Sequence, residues 1–213
     1  MNKILIIGAT GGTGRELVKQ ALVKGYAVSV LVRNPAKADF GSGVTTLAGN
    51  VLDSESLKKA VSGQDAVISS LGSGVTGPFK QMTMFSQGTR NLVTAMQSQG
   101  VKRLVCITGI GAGESKGHGP WYYNLLIQPL LLHGVYEDKT RQEEEIRNSN
   151  LDWTIVRPSI LTDGPAKGES AVRSVIHMAD VSASTISRSD VAGFCLNQLV
   201  NGRYRGQAPV ITY

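Results

Sequence analysis

The feature that most constrains the fold of this sequence is a run of glycines placed directly after a short apolar stretch. Residues 4–7 are apolar and mostly β-branched, and the turn Gly8-Ala9-Thr10-Gly11-Gly12-Thr13-Gly14 follows them at once. A segment with helical periodicity then covers residues 13–24. A strand, a glycine turn and a helix in this order point backbone N–H groups at a site suited to phosphate. Gly8 would allow the sharp turn, Gly11 the approach of a pyrophosphate, and Gly14 close packing of helix on strand.

The rest of the chain alternates apolar, β-branched runs with amphipathic segments, which is typical of a parallel sheet covered by helices. Strands are predicted at residues 3–7, 27–32, 44–47, 66–70, 103–107, 153–157 and 208–212, and helices at 13–24, 54–61, 80–99, 137–150 and 190–200. We therefore predict an α/β fold with a doubly wound, mostly parallel Rossmann sheet. The 213 residues suit one domain, residues 1–213, with a small C-terminal substrate-side region.

The end of the second predicted strand bears on the choice between NADPH and NADH. A NAD-binding domain usually places an acidic residue there to hydrogen-bond the ribose 2′-hydroxyl, but this chain has Arg33. A guanidinium can bind a 2′-phosphate with two charge-assisted hydrogen bonds, so NADPH is the predicted cofactor. The alternative is that Arg33 binds no phosphate and is only a solvated charge at the end of the strand. After the third strand, Asn50, Val51 and Asp53 could border an adenine ring. Asp53 could equally well be part of the cap of the helix beginning near Ser54.

Bulk properties exclude several classes of function. The net charge is +6, but the basic residues are scattered and no aromatic-basic array accompanies them, so no nucleic-acid partner is expected. The N-terminus lacks a long apolar run, which predicts a cytoplasmic protein with no membrane partner. Cys106 and Cys195 are expected to be buried thiols. His118, His133 and His177 lie far apart without ligand spacing, so no metal site is expected.

Beyond these patterns, the sequence resembles the atypical short-chain dehydrogenase/reductases. It is most similar to NADPH-dependent flavin reductases of the biliverdin reductase B type and also similar to NmrA-like regulators. The resemblance runs through GATGGTG, YAVSVLVRNP, GNVLD, GQDAVISSLG, GTRNLVTAMQSQGVKRLVCIT, RNSNLDWTIVRPSILTDGP and ISRSDVAGF. It implies NADPH in the cleft of the sheet and hydride transfer to flavins, tetrapyrroles or quinone-like acceptors. The cofactor-binding residues that it implies are Gly8, Thr10, Gly11, Gly12, Thr13 and Gly14 at the pyrophosphate, Arg33 at the 2′-phosphate, Asn50 and Val51 at the adenine, Leu71 and Gly72 beside the ribose, and Thr108, Gly109, Pro158, Ser159 and Ile160 around the nicotinamide.

The sequence also departs from this family. Short-chain dehydrogenases usually carry Y-x-x-x-K, whereas here Tyr136 and Lys139 are one residue too close, and Val135 stands where the family's tyrosine belongs. Gly109 replaces a serine that these reductases carry after the fifth strand, and Ser159 replaces their active-site histidine. These departures argue against a tyrosine-acid mechanism for alcohols and ketones.

Flavin chemistry does not need that tyrosine, because the charge left after hydride addition is delocalised over the ring. We therefore predict an enzyme, an NADPH-dependent reductase of a small aromatic or conjugated acceptor, which works mainly by positioning. Thr108 and Ser159 are the candidate catalytic hydroxyls, with a structural role as the alternative for each. A non-catalytic NADP(H)-binding sensor is the second hypothesis, and a sugar-nucleotide epimerase is a weaker third. The resemblance suggests a monomer.

Three further segments can be explained by structural roles alone. Glu143, Glu144 and Glu145 are most simply a solvated charged face of the helix at 137–150. The aromatic residues at 121–123 could form a flap over an acceptor or cover the sheet. In ISRSDVA, Asp190 predicts a helix start, and the resemblance suggests that this stretch recurs for structural reasons.

Overall fold

The fold is a sheet of parallel strands connected by helices. The computed structural model describes residues 2–72, 82–118, 125–126, 132–181 and 184–213. The strands are β1 Lys3–Ile7, β2 Ala27–Val32, β3 Val44–Ala48, β4 Ala66–Ser69, β5 Arg103–Ile107, β6 Asp152–Pro158, β7 Ile160–Thr162, β8 Arg173–Val175, β9 Thr185–Ser187 and β10 Val210–Thr212. The α-helices are α1 Gly12–Val23, α2 Ser54–Val61, α3 Met84–Ser98, α4 His133–Arg147 and α5 Arg188–Asn201.

The strand order confirms the predicted doubly wound topology. The main sheet runs β3-β2-β1-β4-β5-β6-β10-β8, and its pairs are parallel except for the antiparallel pair of β10 and β8. The chain moves outward from β1 in one direction and then outward from β4 in the other. Such a reversal opens a crevice at the carboxyl ends of the two central strands, which is where open α/β sheets bind ligands.

The core explains why β1 is apolar at successive positions. Ile4 and Ile6 pack into a cluster on the face covered by α1 and α5, and Leu5 and Ile7 pack into a second cluster on the face covered by α2 and α3. A strand buried on both faces reads as a continuous apolar run rather than as an alternation. The central strands are thus fixed by burial, and the loops at their carboxyl ends start from a rigid base.

Three strands were not predicted from the sequence. β7, β8 and β9 have three residues each, which is too short for a periodic pattern to stand out. β7 pairs with β9 in a separate parallel two-stranded sheet, and β8 adds to the edge of the main sheet. All three lie in the irregular C-terminal part of the chain. No helix among the described residues has the length and apolar character needed to cross a membrane.

The contact between Gly8 and Gly14 generates the first prediction. A Cβ atom on Gly14 would lie 2.1 Å from the carbonyl oxygen of Gly8, and the backbone would have to move. We expect Gly14→Ala to lower the free energy of unfolding by about 1 to 3 kcal/mol, because α1 could no longer pack against the end of β1. Urea denaturation measures the change.

A matched control is Gly164→Ala. Gly164 is exposed, and a Cβ there would come no closer than 3.8 Å to the Thr162 hydroxyl. We expect this variant to unfold like the unmodified protein. Equal midpoints for the two variants would contradict the close packing inferred at Gly14.

Candidate functional site

The glycine turn has the local geometry of an anion site. Gly8 has φ +81°, and a Cβ there would lie 2.2 Å from the carbonyl oxygen of Ser70, so a larger residue cannot replace it without strain. The Gly11 amide donates to the Gly8 carbonyl at 3.1 Å, which closes the turn. α1 then begins with Gly11 as N-cap, without a side-chain cap from the described residues and without an acidic residue in its first turn. The N–H groups of this helix end can therefore hold phosphate oxygens.

Three adjoining cavities follow the carboxyl ends of the strands. The outer cavity, about 430 Å³, includes Arg33 and Asn50 in its lining. The central cavity, about 400 Å³, shares Gly11 and Gly72 with it. The inner cavity, about 190 Å³, shares Thr108 and other residues with the central one. The three form one elongated cleft whose middle lies over the glycine turn.

The implied cofactor residues distribute along this cleft. Gly8, Thr10, Gly11, Arg33, Asn50, Val51 and Gly72 line the outer cavity; Gly11, Gly12, Thr13, Leu71, Gly72 and Thr108 line the central cavity; Thr108, Gly109, Pro158, Ser159 and Ile160 line the inner cavity. Gly14 differs from the others, because it is buried behind the turn against Gly8 and Ala9. Its place in the structure is that of a packing residue.

At the outer cavity, local hydrogen bonds separate the roles of two polar residues. Asp53 is the N-cap of α2, and its carboxylate accepts from the Glu55 amide at 3.1 Å. Asn50 is exposed, and its side-chain oxygen accepts from the Leu52 amide at 3.1 Å. Asp53 is therefore a helix cap, which was one of the two roles predicted for it.

The two candidate catalytic hydroxyls are both engaged inside the protein. The Thr108 hydroxyl donates to Glu143 Oε1 at 2.8 Å, and the Ser159 hydroxyl donates to Thr212 Oγ1 at 3.1 Å. Both residues are buried. Either hydroxyl would have to exchange its partner before it could donate to an acceptor, so their catalytic role stays a prediction.

Sequence reasoning set aside a pair of residues that the structure brings into the cleft. Tyr136 and Lys139 both line the central cavity, because residues three apart on a helix share a face as residues four apart do. The Tyr136 hydroxyl lies 3.2 Å from the position of a Cβ on Gly109. A phenol from α4 therefore stands next to Gly109, where the resemblance described above implies a serine side chain. The sequence could have indicated this pair, because residues three apart in a helix share a face. Requiring the four-residue spacing of Y-x-x-x-K excluded it.

Lys139 is buried beside an aromatic ring and two carboxylates. The residue is 8% exposed, and its ammonium lies 4.5 Å from the centre of the Phe85 ring. Burial lowers the pKa of Lys139, and the nearby carboxylates of Glu143 and Asp138 oppose this shift. Lys139 therefore stands at the wall of the cleft with its charged form disfavoured by burial and favoured by the two carboxylates.

Two buried carboxylates hold α4 in place, and one of them corrects the sequence interpretation. Asp138 accepts from the Phe85 amide at 2.8 Å, at the start of α3. Glu143 accepts from Arg157 Nε at 3.0 Å and also from Arg157 Nη2, as a two-point ion pair whose side chains are 2% and 1% exposed. The prediction of a solvated face is wrong for Glu143, although Glu144 is exposed.

The fold and the cleft together define a dinucleotide-binding protein of the Rossmann class. Residues 8–202 match the NAD(P)H-binding family, and the chain belongs to that family. The family match confirms the prediction of a nicotinamide dinucleotide as cofactor. The aromatic segment at 121–123, considered as a flap, lies outside the described residues.

The chain is similar to proteins named as an assembly factor and as reductases. The chain is 31% identical over 157 residues to photosystem II assembly factor Ycf39 of Synechocystis, covering 73% of this chain and 44% of that protein. It is 26% identical over 215 residues to the NAD(P)H azoreductase of Xenophilus azovorans, covering 98% of this chain and 67% of that protein. The solved structure of ChuY, an anaerobillin reductase from Escherichia coli O157:H7, superimposes with a TM-score of 0.82 at 20% identity, covering 99% of this chain and 97% of ChuY. The chain thus spans less than half the length of that Ycf39 protein.

The ion pair between Glu143 and Arg157 gives the second prediction. Glu143→Gln keeps the shape of the side chain but removes the buried partner of Arg157, which then retains only the largely exposed Glu114 as an ion-pair partner among the described residues. We expect a loss of about 3 kcal/mol in the free energy of unfolding, measured by urea denaturation. Glu144→Gln on the same helix is the matched control, and we expect little change because Glu144 is exposed. Equal losses in both variants would show that the pair does not anchor α4.

Proposed function

We propose that this protein is an NADPH-dependent reductase that transfers a hydride to a planar conjugated acceptor such as a flavin, a biliverdin-like tetrapyrrole or a quinone. One observation carries the proposal: the central cavity of the cleft, beside the glycine turn, also has apolar walls and contains a phenol and an ammonium. The apolar walls are supplied by Phe85, Ile107, Leu132, Val135 and Leu161, and the polar groups by Tyr136 and Lys139. Apolar walls with a few placed polar groups suit a flat ring system.

The shape of the cleft supports an assignment of its parts. The outer cavity would take the adenosine, with Arg33 at the 2′-phosphate and Val51 beside the adenine. The glycine turn would take the pyrophosphate at the N-terminus of α1. The nicotinamide would then lie where the central and inner cavities meet, between Thr108 and Leu161.

The bound cofactor supplies the hydride, and the protein supplies position and charge. Reduction of the acceptor consumes NADPH and one proton and yields NADP⁺ and the reduced acceptor. In this proposal Tyr136 would donate that proton or a hydrogen bond, and Lys139 would stabilise negative charge on the phenol or on the acceptor. Flavins can take the proton from water instead. The azoreductase named above is a relative with the same kind of overall reaction, since it is an NAD(P)H-dependent reductase by name.

The role proposed for Arg33 gives the third prediction. Arg33→Asp replaces a cation at the predicted 2′-phosphate position with an anion. We expect NADPH binding to weaken about 10- to 100-fold relative to NADH, because NADH lacks the phosphate and can hydrogen-bond the new carboxylate through its 2′-hydroxyl. Titration of nicotinamide fluorescence with each cofactor measures both affinities. An equal loss for NADPH and NADH would remove the 2′-phosphate assignment.

A second candidate function is a non-catalytic sensor of NADP(H). Two observations favour it: the hydroxyls of Thr108 and Ser159 are held in internal hydrogen bonds, and one relative is named as an assembly factor rather than as an enzyme. A sensor would bind NADP⁺ and NADPH and consume neither.

Turnover separates the two candidates and gives the fourth prediction. Purified protein is incubated with NADPH and FMN, riboflavin, biliverdin or a quinone, and the loss of reduced-nicotinamide absorbance is followed. We expect oxidation of NADPH, and we expect Tyr136→Phe to slow reduction of biliverdin and of the quinone about 10-fold or more while flavin reduction continues. Flavins are spared because the reduced ring delocalises its charge.

The control for this variant is NADPH affinity, which should stay within a factor of about two if Tyr136 acts on the acceptor. Tight binding of NADPH without oxidation by any acceptor in the panel would favour the sensor instead.

A further inference from the structure

Arg188 lies across the glycine turn, although its segment was attributed to structure alone. It is the first residue of α5, directly after β9, and its side chain lines the central cavity. A Cβ on Gly12 would lie 2.7 Å from Arg188 Cδ and 2.9 Å from Nε. The absence of a side chain at Gly12 is therefore what lets an arginine from the other end of the chain extend over the start of α1.

The guanidinium of Arg188 has a partner that it can exchange. Its Nη1 lies 2.6 Å from Asp163 Oδ1, and the two side chains are 28% and 86% exposed. An ion pair this open to water contributes little stability, because solvent screens it and holding two flexible side chains costs entropy. By contrast, the pair of Arg157 and Glu143 is 1% and 2% exposed and cannot open cheaply.

The position of Arg188 indicates which anion would replace Asp163. The N–H groups at the start of α1 approach the central cavity from one side, and the guanidinium approaches from the side of α5. An anion between them would meet a helix N-terminus and a two-point donor at once. Arg188 does not line the inner cavity with Gly109 and Ser159, so its charge bears on the phosphate part of the cleft rather than on the deep end.

We propose that Arg188 binds the pyrophosphate of the cofactor and that Asp163 competes with the pyrophosphate for its guanidinium. This inference rests on the proposed placement of NADPH in the cleft, but not on turnover. The two arginines of the cleft then have separate tasks: Arg33 recognises the 2′-phosphate and selects NADPH, whereas Arg188 strengthens the binding of any dinucleotide.

Binding measured without an acceptor tests this. We expect Arg188→Ala to weaken NADPH and NADH by the same factor, about 10- to 100-fold, since both carry the pyrophosphate. We expect Asp163→Asn to tighten both about two- to five-fold, because the guanidinium loses its competing partner. Lys102 is exposed directly before β5, and Lys102→Ala controls for the loss of one positive charge and should change neither affinity.

The remaining outcomes are distinct. If Asp163→Asn weakened binding as much as Arg188→Ala does, the ion pair would only hold the loop, and the competition would be refuted. If Arg188→Ala left both affinities unchanged but raised the KM for FMN and not for riboflavin, the arginine would bind the phosphate of an acceptor, and the proposal would be overturned. A protein that binds NADPH through Arg188 without oxidising it would sink the proposed reductase and leave this inference standing.

Discussion

The ion pair of Glu143 and Arg157 links the sheet to the helix that forms one wall of the cleft. Arg157 lies on β6 and Glu143 on α4, so the pair fixes the distance between them. The same carboxylate accepts from Thr108 at the end of β5, and therefore one group positions three elements. Because each charge would be costly if buried alone, the pair permits little sliding of α4. Tyr136, on the same helix, acquires its place in the cleft from this anchor.

The sheet could be predicted from the sequence because burial leaves a direct record there. β1 is covered on both faces, and its continuous apolar run predicts a central strand of a parallel sheet. The glycine turn that begins at Gly8 predicts that the ligand binds at the carboxyl end of this strand. β7, β8 and β9 could not be predicted, since segments of three residues owe their conformation to pairing partners distant in sequence, such as Ile160 with Thr185. Strands that depend on distant pairing partners are thus harder to predict from the sequence than strands buried on both faces.

α4 shows a different limit of sequence reasoning. Its buried positions follow helical spacing, but most are polar or charged: Val135, Asp138, Lys139, Gln142, Glu143 and Ile146. A hydropathy pattern treats such a face as solvated, because it records polarity and not whether a partner is present. Here the partners come from elsewhere in the chain, among them the α3 amide of Phe85 and the β6 guanidinium of Arg157. The helical spacing of these positions was visible in the sequence. The hydrogen-bond and ion-pair partners that allow their polar side chains to be buried could be found only in the tertiary structure.

Burial of the partner distinguishes the arginines around the cleft. Arg157 is almost completely buried, and one of its partners, Glu143, is buried with it, so its charge is committed to the fold. Arg188 is partly exposed and holds an aspartate that water reaches freely, so its charge can be redirected to a ligand. Arg33 is exposed at the rim of the outer cavity, where a ligand phosphate could reach it without displacing a buried group. Which arginines can bind a ligand phosphate thus depends on how deeply their ion pairs are buried. A guanidinium paired in the interior would have to leave a buried carboxylate unpaired before it could bind a phosphate, and that costs more free energy than the new contact returns.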